Sequence, residues 1–273
     1  MNPRVVLRYV GLAVILVYCL APFYWMLVSA LRRPTDQFSL TPFPNPLSAT
    51  NFIAIFGADV GFGRALLNSL VVAGIATTLT LIIGLSAAYA MARLKFRFKN
   101  GVAAIIIATS MFPGISLVVP LLKLFTDINW INTYQAMIVP SMSFALPLAV
   151  WNLNAFFRQM PGELEEAAMI DGCTRLQAFR KIILPLAAPG VFTTAIITFI
   201  TAWNEFIIAL SMVNDESMQT ATVSISRFTG AYGFDQPFGT QMAAGVIVTV
   251  PLVVLVLVFQ RRIIAGLTAG GVK

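Results

Sequence analysis

The sequence contains no histidine. That absence removes His-dependent nucleophilic triads, most zinc sites and haem ligation together. Charge is scarce as well. Asp, Glu, Lys and Arg supply 11% of the residues, against about 25% in an average soluble domain. So few charges cannot coat a globule in water, and an apolar share of 58% says that the surrounding solvent is mostly lipid. The two cysteines are Cys19, inside an apolar run, and Cys173, inside a charged segment, a placement that argues against a structural disulfide. Bulky Tyr18 before Cys19 does not suit a lipoprotein acceptor. Residues 9–31 form too long an apolar stretch, with no small-residue cleavage site after them, for a removable signal. No G-x-x-x-x-G-K-[ST] occurs, so nothing here cradles the phosphates of ATP. Every aspartate falls in a predicted loop, which excludes paired aspartates within spans. No catalytic residue and no metal site is assigned.

What is present is a series of long apolar segments. A helix needs about 20 mostly apolar residues to cross the hydrocarbon, and six stretches qualify: 9–31, 66–92, 102–125, 136–157, 189–212 and 240–260. The second is free of proline, and Gly84 with Ala88 forms a small-xxx-small pair suited to close helix contact. Pro22, Pro113, Pro120, Pro140, Pro147 and Pro251 interrupt other spans and mark kinks against neighbours or a cavity. The fold class expected is an all-α membrane protein with six transmembrane helices. The net charge of +7 is membrane-flanking charge and implies no nucleic acid. If both termini lie on one side, only Arg32, Arg33, Arg64, Lys123 and Arg227 fall on the other, so the positive-inside rule places both termini and the 158–188 loop in the cytoplasm. Arg32 and Arg33, directly after the first span, run against that rule.

The 158–188 loop differs from its surroundings. Pro161 suits a first helical turn, and Glu163, Glu165 and Glu166 favour the positive end of a helix dipole. Leu164, Ala167, Ala168 and Asp171 share a face, Gly172 allows a left-handed stop, and Thr174 with Gln177 forms a capping-box pair for a second helix. In that helix Leu176, Phe179 and Ile183 align. Physics alone leaves an ordinary surface hairpin as open as a docking knob. Economy favours the knob, because a far shorter turn would join the two spans.

The string Glu166-Ala167-Ala168, then Gly172, Ile182 and Leu184-Pro185, resembles the EAA loop of ABC importer permeases, E-A-A-x3-G-x9-I-x-L-P, at every fixed position. Asp171 and Phe179 are similar to its sugar-transporting branch. "NSLVVAGIATTLT…AAYAMARLKF", "MFPGISLVVPL", "INTYQAMIVP", "AWNEFIIAL" and "FQRRIIAGLTAGGVK" extend the likeness to the maltose/trehalose type of permease subunit. The resemblance implies a type I ABC importer permease fold in a bacterial or archaeal inner (cytoplasmic) cell membrane. Residues 1–63 are then the first span and an external loop, 64–265 the permease core, and 266–273 a cytoplasmic tail.

The resemblance further implies that Glu166, Ala167, Ala168, Asp171, Gly172, Phe179, Ile182, Leu184 and Pro185 couple the chain to a cytoplasmic ATPase. Glu166 would meet a basic group there. Tail residues Gly266, Leu267, Thr268, Gly270 and Lys273 either contact the same ATPase or form a flexible end. The chain itself would bind no cofactor; ATP and Mg would sit on the ATPase, present in two copies. A second homologous permease, an external sugar-binding protein and the lipid bilayer complete the expected partners. The cargo implied is a sugar, such as a trehalose- or maltose-like disaccharide, with a polyol or glycerol phosphate as alternative. A secondary transporter driven by an ion gradient is the rival class, but it would normally show an intramembrane relay. For the substrate path, Trp203, Asn204 and Glu205 either touch the sugar or hydrogen-bond neighbouring helices; Ser143, like Ser141 and Asn152, is a weaker candidate.

Overall fold

A computed structural model of the chain describes residues 3–57, 61–228 and 237–269, with the backbone alone for Pro3 and 261–269. Helices and connecting loops make up these residues, with no strand among them. In chain order the helices are α1 (Pro3–Ala30), α2 (Thr50–Ile55), α3 (Phe62–Arg93), α4 (Lys99–Ser110), α5 (Val118–Asp127), α6 (Tyr134–Gln159), α7 (Glu163–Ile170), α8 (Arg175–Ala178), α9 (Leu184–Leu186), α10 (Ala188–Trp203), α11 (Ile207–Met212), α12 (Ala221–Ser226) and α13 (Phe238–Ala269).

Among the described residues, four helical stretches are long and apolar enough to cross a membrane: Arg4–Ala30, Phe62–Arg93, Tyr134–Gln159 and Phe238–Gln260. Two helix pairs pass the same test jointly but are bent, Lys99–Ser110 with Gly114–Asp127 by 90° and Arg175–Leu186 with Ala188–Trp203 by 74°. Counting each pair as one span gives six.

The bends refine the expected spans. The stretch 102–125 is not one continuous helix. Pro113 has no N–H to donate and takes an extended conformation (φ −67°, ψ 115°), so α4 stops before it and the chain turns. The stretch 189–212 is interrupted as well, since α10 ends at Trp203 and α11 begins at Ile207.

The chain divides into two compact units, Met1–Leu66 with Thr220–Leu252, and Leu67–Gln219 with Val253–Lys273. The core of the first contains Ile55, Phe62, Ala65, Ala221 and Ala244, with Phe228 edge-on to Phe62 at 5.6 Å between ring centroids. Arg32 is 2% exposed in this unit. Its guanidinium lies over the Trp25 ring at 5.0 Å and donates to the carbonyl oxygens of Ser39 and Thr41. The last carbonyls of a helix have no partner within it. Here the Asn51 amide donates to the oxygens of Ala30 (3.0 Å) and Arg32 (2.8 Å), closing the end of α1. Arg32 is thus spent on folding the loop that follows α1.

The second unit is built on α3, α6 and α10. Gly84 of α3 faces α6: a Cβ there would stand 3.6 Å from Leu153 and 3.7 Å from Ala149, ordinary van der Waals contact. Ala88, one turn on, is fully buried in a core with Val150 and Leu153 of α6, so both small residues face that helix. Gly190 at the start of α10 is tighter still, since a Cβ would fall 2.5 Å from the Phe156 ring of α6. At the other end of α3, the Asn68 amide donates to the carbonyls of Ser217 (3.0 Å) and Gln219 (2.9 Å) while its oxygen accepts the Tyr134 hydroxyl (2.7 Å). One buried side chain therefore ties α3, α6 and the 213–219 loop together.

Candidate functional site

The α7–α8 hairpin follows its local sequence closely. Gly162 is the N-cap of α7, so the helix begins two residues after Pro161, and Glu163, Glu165 and Glu166 occupy its first turn. The helix closes in a Schellman arrangement. The Gly172 N–H donates to the Met169 oxygen (3.1 Å), the Cys173 N–H donates to the Ala168 oxygen (3.0 Å), and Gly172 has φ +87°. Thr174 and Gln177 make both bonds of the capping box, at 2.8 and 3.3 Å. Beyond α8 the backbone winds into a π-helical turn, Phe179–Ile183, just before Pro185. No periodicity in the sequence signals that turn.

Burial divides the expected coupling residues into two groups. Glu166, Ala167, Asp171 and Gly172 are exposed, together with Ile170 (86%) and Leu176 (57%). Pro185 is exposed farther along. Ala168, in contrast, is buried and faces the chain's own interior, so it does not share an exposed face with Leu164, Ala167 and Asp171. Phe179, Ile182 and Leu184 are half-buried. The hairpin thus has an outward tip and an inward base.

The base contains residues that the spacing did not single out. Glu165, not Glu166, turns inward and is 7% exposed. It accepts a hydrogen bond from the Tyr89 hydroxyl and forms an ion pair with Arg93 at 3.8 Å. Tyr89 and Arg93 stand four residues apart on the last turn of α3 and so share one face. Arg93 also donates to the Met160 carbonyl at 2.8 Å, where the chain leaves α6. The Tyr89 ring packs on Phe179 (4.5 Å) and Phe157 (6.0 Å), which are themselves 6.2 Å apart. Three rings from three segments meet here over a core of Ala88, Met91, Val150, Leu153, Phe157, Ile183 and Ala187. The available signal was Tyr89-x-x-x-Arg93, a polar pair placed at one helical turn where an apolar span ends.

The expected substrate-path residues lie away from this base. Glu205 accepts the N–H groups of Ile208 (2.7 Å) and Ala209 (2.9 Å), capping the first turn of α11. Trp203 is 2% exposed and stacked on Phe199 at 5.7 Å. The Asn204 amide donates to the Ile200 carbonyl at 3.0 Å. Asn204 thus bonds to the end of α10, and Glu205 caps the helix that follows it. Ser143 borders a cavity of about 680 Å³ whose other walls are chiefly apolar, Ile105, Phe112, Leu117 and Phe144 among them, and its hydroxyl donates to the Val139 oxygen (2.8 Å). Of the tail residues, the side chains of Gly266, Leu267 and Thr268 lie outside the described residues, as do Gly270 and Lys273 entirely.

The family model of the binding-protein-dependent transport system inner membrane component matches residues 80–268, a range that contains the whole hairpin and its base. The chain belongs to this family. It is 43% identical to the trehalose transport system permease protein SugB of Mycobacterium tuberculosis, over 94% of this chain and 93% of that one. It is 41% identical to the trehalose/maltose transport system permease protein MalG of Thermococcus litoralis, over 98% and 96%. Its fold is similar to that of a bacterial ABC transporter involved in the import of the acidic polysaccharide alginate, with a TM-score of 0.79, 17% identity, and coverage of 94% of this chain and 95% of that one. The protein is a multi-pass membrane transport subunit and not an enzyme.

Proposed function

We propose that this permease forms half of the translocation pathway of an ATP-driven importer of a disaccharide of the trehalose or maltose kind. The observation that carries the reading is the hairpin. Its exposed tip of Glu166, Ala167 and Ile170 offers a carboxylate beside a small and an apolar side chain, while its base is packed into the ends of two long helices. A tip of that composition suits insertion into a cleft carrying a basic group, and the chain has no phosphate-binding loop of its own. ATP and Mg would then bind to two copies of a separate ATPase, whose closure favours one membrane conformation over another. A second permease of the same family and an external sugar-binding protein complete the assembly.

Both termini and the hairpin face the cytoplasm of a bacterial or archaeal cell in this reading, supported by the Lys and Arg distribution and by the structural employment of Arg32. The sugar assignment is supported by the names of the two relatives. The test is uptake by the complete complex in proteoliposomes, with external binding protein, against a panel of trehalose, maltose, a polyol and glycerol phosphate. ATP-dependent accumulation of a disaccharide is the expected result. Accumulation driven by a proton or sodium gradient without ATP would reject the reading.

A further inference from the structure

The three glutamates that open α7 have different fates. Glu163 and Glu166 point to solvent, but Glu165 is withdrawn among Tyr89, Arg93 and the aromatic rings. A carboxylate buried on a cytosolic hairpin loses its water, so it persists there only with charge and hydrogen-bond partners. Both partners come from one turn of α3, and Arg93 also holds the carbonyl that ends α6. Glu165 therefore sits where three segments converge: α7, the end of α3 and the end of α6.

The rest of the hairpin shows why such a tie is needed. At its tip the hairpin is closed on itself, by the Gly172 turn and the Thr174–Gln177 box, which join α7 only to α8. The far side is fixed by apolar packing of Phe179 and Ile183. The directional bond from α7 to α3 comes from the Tyr89 hydroxyl, and the Arg93 ion pair at 3.8 Å adds charge attraction beside it. Apolar packing has no preferred direction, whereas a carboxylate hydrogen-bonded by a phenol at one oxygen, with a guanidinium 3.8 Å from the other, has a preferred orientation.

We propose that Glu165 is a positioning residue for coupling: it fixes the tip to α3 and α6, so that motion imposed on the tip is delivered to both helices and not absorbed at the hairpin base. This rests on the reading of the hairpin as the ATPase contact. Glu165 does not touch the ATPase in this scheme; it sets the angle at which Glu166 is presented.

The test uses the full complex, with partner permease, ATPase and binding protein, in proteoliposomes. The readout is ATP hydrolysed per radiolabelled trehalose taken up. For Glu165→Ala the expected ratio rises about five- to tenfold while the ATPase still co-purifies. Glu165→Gln, which keeps an acceptor for the Tyr89 hydroxyl but loses the charge facing Arg93, gives an intermediate ratio. A merely architectural role would lower hydrolysis and uptake in step and leave the ratio unchanged, which overturns the proposal. Where Glu165→Ala does not assemble, Tyr89→Phe decides, because it removes the hydroxyl and keeps the ring: a raised ratio supports the proposal and a wild-type ratio overturns it. Absence of ATP-dependent uptake in the wild-type complex would instead reject the underlying reading of the hairpin.

Discussion

The Tyr89 hydroxyl donates to the Glu165 carboxylate across 76 residues of sequence, joining the last turn of α3 to the first turn of α7. That bond, with the Arg93 ion pair beside it, makes the hairpin a continuation of the helical bundle and gives its tip a defined direction.

The turn at the tip has a strict backbone requirement. At φ +87° Gly172 has nothing within 4 Å of a Cβ position, so any penalty on substitution is conformational and not steric crowding. Gly172→Ala is expected to cost about 1–2 kcal/mol, and Gly172→Asn less, since asparagine tolerates left-handed geometry. Thermal unfolding of the purified complex, together with protease sensitivity of the 170–175 segment, should rank Gly above Asn above Ala.

A second close approach lies where α10 leaves the hairpin. Gly190→Ala places a methyl group 2.5 Å from the Phe156 ring, inside any allowed contact. Overpacking of this kind costs about 1–3 kcal/mol, and the paired change Gly190→Ala with Phe156→Leu is expected to recover part of it. Thermal stability of the single and double variants in detergent checks the point; a Gly190→Ala protein as stable as wild type would contradict the packing described.

At the opposite end of α3, Asn68 makes three hydrogen bonds from a site 2% exposed. Asn68→Ala leaves the carbonyls of Ser217 and Gln219 and the Tyr134 hydroxyl without this partner, at about 1–3 kcal/mol. Tyr134→Phe removes one bond and should cost nearer about 1 kcal/mol. Faster hydrogen exchange in the 213–219 loop of Asn68→Ala, with little change in α7, is the expected pattern.

Arg32 predicts a different asymmetry. Two nitrogens of one planar group reach two carbonyls while the face covers Trp25. Lysine offers neither the fork nor the stacking surface. Arg32→Lys should therefore expose the 37–47 segment to protease nearly as much as Arg32→Ala does. Protection of that segment in Arg32→Lys at the wild-type level would show that charge alone holds the loop.

What the sequence disclosed tracks how local each signal is. The Gly172 stop and the Thr174–Gln177 box depend on neighbours within a few residues and were legible in full. Three glutamates in one turn gave no means of telling which one turns inward, because the choice is made by Tyr89 and Arg93 far upstream. Ala168 parts from Leu164, Ala167 and Asp171 for the same reason: it lies on the stripe that Glu165 begins. Proline marked a kink in the third span, but the size of the turn depends on Pro113 adopting an extended conformation and on the helices that follow. Glu205 drew notice as an acid within an apolar stretch, yet both its oxygens serve the first amides of α11, an arrangement visible only once α10 is known to stop at Trp203.

The central claim is that the exposed tip, centred on Glu166, passes ATPase closure to the membrane helices. Its most direct test is Glu166→Lys in the reconstituted complex, with phosphate release and sugar uptake measured on the same vesicles. Hydrolysis that persists while uptake falls by about tenfold or more is the predicted result. Uptake at the wild-type rate, with wild-type ATP consumption, would contradict it.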